Sequence, residues 1–189
     1  SHDFSPTGKT MLSVLEEAGL LINVHKNFVV DGKTGCQIFG IEGLRIGLDK
    51  ETFEQTDFKP VLDKLDEKAF KIFVMHTAIR EYCPIPMMEA TPLDVIPKGF
   101  DYYATGHVHY IFDKYHDGWG HIVFPGSLFQ VNFNELEKHD KSGFYIVHAD
   151  IQNKQQKARL EWRNIELKKA FLIDVDGEGK TPMQIENEF

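Results

Sequence analysis

The stretch Asp101-Tyr102-Tyr103-Ala104-Thr105-Gly106-His107-Val108-His109 decides how the rest of the chain is read. Its first five residues suit a short β-strand that ends at Gly106, and two imidazoles follow one residue apart. In extended backbone, residues i and i+2 project to the same side, so the pattern predicts that His107 and His109 aim into one site. Gly106 permits a sharp bend and leaves room for a close approach to the backbone. Imidazole is the commonest metal ligand, so this pair points to one or two bound metal ions. The competing reading is two surface histidines in a turn.

Some thirty residues upstream, Phe70-Lys71-Ile72-Phe73-Val74-Met75 runs into His76. The run is apolar on both sides, as expected of a buried parallel strand covered by helices. A histidine at the exit of such a strand stands where α/β proteins place ligands and catalytic groups. Alone, His76 would be read as a core or rim histidine; beside Gly-His-Val-His it is read as a ligand.

Composition bounds the class. The 189 residues suffice for one ordinary domain plus an appendage. A 42% hydrophobic share with fifteen Phe and 26% charged residues predicts a globular protein with a substantial core. No apolar stretch approaches the ~20 residues that cross a bilayer. Cys36 and Cys83 lie far apart in unrelated contexts, which favours reduced thiols and a cytoplasmic setting. The net charge of −8, from 21 basic and 29 acidic residues, argues against wholesale coating of nucleic acid. It leaves room for an enzyme that grips phosphate through bound cations, which supply the local positive charge.

Along the chain, a helix is expected over residues 8–18, stopped by Gly19. Met11, Leu12, Val14, Leu15 and Ala18 cover more than the roughly 100° stripe of an ordinary surface helix. Two readings stay open: a helix buried in its own core, or one with a second face against a partner chain. Gly8-Lys9-Thr10 resembles the end of a phosphate loop, but the earlier glycine would fall at Asp3, so that reading is rejected. Strands are expected at 21–26, 28–30, 36–41 and 44–47, then a polar stretch at 49–59 and a helix near 60–68. Residues 77–99, with four prolines, read as a long surface loop with a helical turn after Thr91. A hairpin turning at Asp117-Gly118 leads to Pro125-Gly126-Ser127, expected to form a tight turn near the site. Strands at 143–147 and 158–167 follow, and a β-turn-α unit with Thr181-Pro182 capping its helix ends the chain. His25, His116, His121, His139 and His148 lack convergent context and read as solvent or turn histidines. Asp113 and Asp117 read as solvated residues of the hairpin. Lys154, Lys157, Arg159, Arg163, Lys168 and Lys169 offer either a DNA-backbone surface or a wet strand face.

Ser1-His2-Asp3, Phe73-Val74-Met75-His76, Tyr103-Ala104-Thr105-Gly106-His107-Val108-His109 and Phe124-Pro125-Gly126-Ser127 occur in the order of calcineurin-like metallophosphoesterases. Leu15-Glu16-Glu17-Ala18-Gly19-Leu20, Gly99-Phe100-Asp101 and Ser142-Gly143-Phe144-Tyr145-Ile146-Val147 make the chain resemble, more narrowly, the DNA double-strand-break repair nucleases (SbcD type, archaeal form). The resemblance covers almost the whole chain. It implies an α/β (α+β) fold, the C-terminal half of a helix-flanked β-sandwich metallophosphoesterase domain over residues 1–165. Residues 166–189 would begin a small DNA-capping domain. It also implies two Mn²⁺ ions, with Mg²⁺ as the alternative, His76 and His107 on one and His109 on the other. His2 would be the non-ligand catalytic histidine, with Asp3 orienting it. The implied partners are DNA ends, an SMC-like ATPase and a second copy of the chain through the 8–18 helix, with no membrane. The implied setting is the nucleoid-associated cytoplasm.

Two departures qualify the resemblance. The family's Asp-x-His and Gly-Asp motifs lie upstream of the His-Asp pair, so the chain is expected to be a middle piece of a longer protein. Ser1 occupies the place of a ligand asparagine, either as a native variant or as a residue foreign to the natural sequence. The isolated chain is therefore expected to hold metal poorly and to lack nuclease activity. Two rival functions remain: another phosphoesterase of the superfamily, such as a nucleotide phosphodiesterase or phosphatase, and a non-catalytic scaffold that has lost its metals.

Overall fold

The computed structural model describes residues 8–44, 48–84, 88–130, 133–138, 141–150, 157–167 and 174–187. The strand into His76 is central to it. This strand, β3 (Lys71–Met75), lies parallel to β2 (Gln37–Ile41) on one side and to β4 (Tyr102–Ala104) on the other. β6 (Gly120–Pro125) continues the parallel set beside β4, while β1 (Val29–Val30) and β5 (Ile111–His116) pair antiparallel at the two edges. The order is β1-β2-β3-β4-β6-β5. β7 (Ser142–His148) and β8 (Arg159–Ile165) form a separate antiparallel pair. The chain is thus mixed α/β with short helices, as expected.

Phe73 organises the core. Its ring lies 5.1 Å from Phe100, 5.7 Å from Tyr103 and 6.0 Å from Phe39 between centroids. It is fully buried, as are Tyr103, Ile122 and Phe124 on neighbouring strands. A buried aromatic ring of this kind contributes about 1.5–3 kcal/mol by leaving water, before the edge-on ring contacts are counted.

Residues 77–99 depart from the surface loop expected of them. Ala78, Ile79, Leu93 and Ile96 are all buried. A connection between parallel strands must cross one face of the sheet, and here it covers that face without a full helix. Two bonds tie its ends together: Thr77 and Thr91 hydroxyls meet at 2.8 Å, and Thr91 N–H donates to the Ala78 carbonyl at 2.8 Å. Two 3-10 turns, Arg80–Tyr82 and Leu93–Val95, punctuate it, the second where a helical turn was expected.

Several boundaries differ from expectation. α1 (Met11–Glu17) starts three residues late, because Thr10 and Ser13 close a reciprocal capping box. No described residue of α1 is buried, and Met11 is 69% exposed. Residues 21–26 make only an isolated bridge, His25 to Gly40, rather than a strand. α2 (Asp49–Gln55) occupies the polar stretch. Asp49 and Glu51 suit its positive N-terminal end, and Phe53 is its single buried anchor, too little to give a periodic pattern. α3 (Lys59–Leu62) is a single turn, shorter than the helix expected there.

The second sheet is fastened to the first by Tyr145, whose hydroxyl donates to Asp113 Oδ2 at 2.8 Å. Asp113 is therefore a tie between sheets and not merely a solvated hairpin residue. Gly143 is required beside it: a Cβ there would stand 2.1 Å from the Arg163 carbonyl oxygen and 2.7 Å from the Trp162 ring. At the end of the chain, Thr181 caps α5 (Pro182–Glu186), as Thr181-Pro182 predicts. Most of the strand expected before it lies outside the described residues.

Candidate metal centre

Four parallel strands deliver their carboxyl ends to one edge of the sheet. β2 exits into Glu42-Gly43, β3 into His76, β4 into Thr105-Gly106-His107 and β6 into Gly126-Ser127. This edge is where open parallel sheets gather chemistry. The His76 and His107 rings meet there, with centroids 5.3 Å apart and planes at 74°.

Two glycines make room for His76. A Cβ on Gly106 would stand 2.8 Å from His76 Nδ1, and a Cβ on Gly43 would stand 2.6 Å from its Cδ2. The close approach foreseen at Gly106 is thus that of an imidazole. Gly43 reads from sequence only as a turn residue, because nothing local signals the ring that will lie against it.

The expectation that His107 and His109 share a side by strand alternation fails. β4 ends at Ala104, and His107 has φ +83°, in the left-handed region. Such a conformation at a non-glycine residue costs about 1–3 kcal/mol and persists only where the surroundings impose it. The buried Val108 beside it anchors the segment. His109 Nδ1 stands 2.9 Å from Glu135 Oε1 on α4 (Phe133–Lys138). Among the described residues, no three His, Cys, Asp or Glu side chains group closely enough to hold a metal ion. The structure therefore joins two of the three predicted imidazoles and turns the third to a carboxylate. Ser1, His2 and Asp3 lie outside the described residues.

Two other histidines do more than the sequence suggested. His25 Nδ1 accepts the Glu42 backbone N–H at 3.0 Å while its Nε2 faces Glu42 Oε1 at 3.3 Å, bracing the β2 exit that carries Gly43. His121, at the opposite edge, has both ring nitrogens buried. Burial lowers its pKa; Lys157 adds to the effect, while the Asp113 charge and the Ala158 carbonyl oppose it. His148 pairs with Glu161 at 3.1 Å, and His139 lies outside the described residues.

Of the basic stretch, Arg163 and Arg159 pair with Glu161 at 2.7 and 3.7 Å, and Lys157 Nζ sits 3.4 Å from the centroid of the Tyr115 ring. Lys154, Lys168 and Lys169 lie outside the described residues. Cys36 and Cys83 are not joined in a disulfide, and Cys83 Sγ lies 3.6 Å from Met88 Sδ. No described helix is long and apolar enough to cross a membrane.

A parallel sheet that gathers paired imidazoles at its carboxyl edge fits the metallophosphoesterase resemblance, and relatives over most of the chain agree with it. The DNA double-strand break repair protein Mre11 of Sulfolobus acidocaldarius is 25% identical over 167 residues, which is 86% of this chain and 41% of that protein. The protein of the same name from Saccharolobus solfataricus is 25% identical over 140 residues, 71% of this chain and 34% of its own length. No protein-family model matches. The chain is a homologue of these Mre11 proteins and spans 41% and 34% of their lengths.

Proposed function

We propose that this chain carries the histidine half of a divalent-metal nuclease centre that hydrolyses phosphodiesters at DNA double-strand breaks. The observation that carries the reading is the meeting of His76 and His107 at 5.3 Å on the carboxyl edge of a parallel sheet, in a homologue of Mre11.

The donor set suits the metal. Two imidazoles from adjacent strand ends, one seated between glycines, are first-row divalent-metal ligands, and Mn²⁺ or Mg²⁺ would need oxygen donors beside them. They supply two of the three or four protein donors that a stable site uses. His76 and His107 would hold one Mn²⁺ and His109 a second, with Mg²⁺ as the substitute. Such ions, when bound, lower the pKa of water and neutralise charge on phosphodiester oxygens. The remaining work falls to the chain. His2 orients the scissile phosphate and hands a proton to the leaving oxygen, and Asp3 holds the His2 ring. Residues 1–165 form the nuclease portion, and residues from 166 begin a cap that positions DNA. The exposed face of α1 meets a second copy of the chain, and an SMC-like ATPase completes the assembly in the nucleoid-associated cytoplasm.

The test uses the full natural protein with Mn²⁺. It should degrade DNA ends far faster than a nitrophenyl phosphate ester, and His76→Ala or His107→Ala should each remove at least 100-fold of that activity, about 2.7 kcal/mol of barrier. The 189-residue chain alone should be inactive. Preference for the nitrophenyl ester would instead indicate a phosphatase, and full activity in both alanine variants would overturn the reading.

A further inference from the structure

His109 takes its place from two elements that follow it in the chain. Gly126, at φ +78°, brings the β6 exit against its backbone, where a Cβ would stand 3.3 Å from the His109 carbonyl oxygen. Glu135, in the first turn of α4, meets its ring at 2.9 Å. The Glu135 side chain is 18% exposed against 41% for His109, so a shielded carboxylate faces a more open ring.

The chemistry of that contact is directional. An ionised carboxylate accepts hydrogen bonds and cannot donate. In the neutral imidazole the proton must therefore sit on Nδ1, which leaves the lone pair on Nε2. Left to itself, an imidazole distributes its proton between the two nitrogens and pivots about χ2. A carboxylate on one nitrogen removes both freedoms and raises the basicity of the other.

We propose that Glu135 is a positioning residue for the metal centre: it fixes His109 as the Nδ1–H tautomer and thereby presents Nε2 as a ligand. This rests on the reading of His109 as a metal ligand given above. The role accounts for the 26-residue reach from His109 to α4, since an ion pair serving only to hold a surface helix would stabilise little in water.

Two measurements on the full natural protein test it. The first is the long-range ¹H–¹⁵N spectrum of the histidine rings without metal, near pH 8, about 1.5 units above the ordinary imidazole value. His109 should show the Nδ1–H pattern, Glu135→Ala should shift it toward Nε2–H, and Glu135→Gln, whose amide can accept or donate, should give a mixture of the two. The second is Mn²⁺ titration followed by electron paramagnetic resonance. Glu135→Ala should weaken one Mn²⁺ site about 10- to 100-fold and leave the other unchanged, with Glu135→Gln between it and wild type. An Nε2–H His109 in the wild type, or Mn²⁺ affinities in Glu135→Ala equal to wild type, would overturn the positioning role alone. Failure of the wild-type protein to bind Mn²⁺ would overturn the metal reading and this proposal with it.

Discussion

Replacing Gly43 by alanine tests whether the site is built around the His76 ring. The added methyl carbon would lie 2.6 Å from His76 Cδ2, 2.8 Å from its Cβ and 2.8 Å from its carbonyl oxygen. Carbon atoms touch without penalty at about 3.5 Å, so roughly 0.9 Å must be found. Rotating the ring cannot supply it, because two of the three clashing atoms, the Cβ and the backbone oxygen, do not move with χ2. The β3 exit must shift, and overpacking of this kind costs about 1–3 kcal/mol. For a chain of this size each kcal/mol lowers the unfolding temperature by about 2–4 °C, so a drop of about 2–12 °C is expected in a thermal melt. Gly32→Ala is the control: nothing lies within 4 Å of its Cβ position, and its melt should match wild type or rise by up to about 4 °C. The histidine ring resonances should move in Gly43→Ala and stay put in Gly32→Ala. If Gly43→Ala melts with wild type and leaves the His76 resonances unmoved, the claim that this glycine exists to admit the ring is wrong.

Two further perturbations address the junction of the sheets. Burial holds the folded-state pKa of His121 below its unfolded value, so the unfolded chain binds more protons between the two. Stability should fall as pH drops from about 6.5 through the folded value. His121→Phe, which removes two buried ring nitrogens, should flatten that slope in urea denaturation at several pH values. Tyr145→Phe deletes the hydroxyl that donates to Asp113 and should cost about 1 kcal/mol by the same denaturation, with the main-sheet backbone resonances unchanged.

The strands that carry the site were legible from local pattern. The run into His76 is uniformly apolar because both faces of a central parallel strand are covered, and the hairpin of β5 and β6 announces itself through Asp117-Gly118. What could not be read was set by contacts distant in sequence. Gly43 is shaped by a ring 33 positions away, Glu42 by His25, and Glu135 by His109, and no local propensity encodes such meetings. Alternation would bring His107 and His109 to one side only if the strand persisted, and the left-handed turn at His107 breaks the period of two. The crossover at 77–99 reads as surface because prolines mark turns, yet its buried Ala78, Ile79, Leu93 and Ile96 roof the sheet. α2 escaped notice for the opposite reason, holding one buried phenylalanine among charges.

The hydroxyl clasp between Thr77 and Thr91 makes the His76 exit indifferent to chain length further out. With Thr77 and Thr91 joined to each other, a change of chain length between them would not tug on the imidazole. That stretch is the natural place for insertions that reshape the approach to the edge while its chemistry stays fixed.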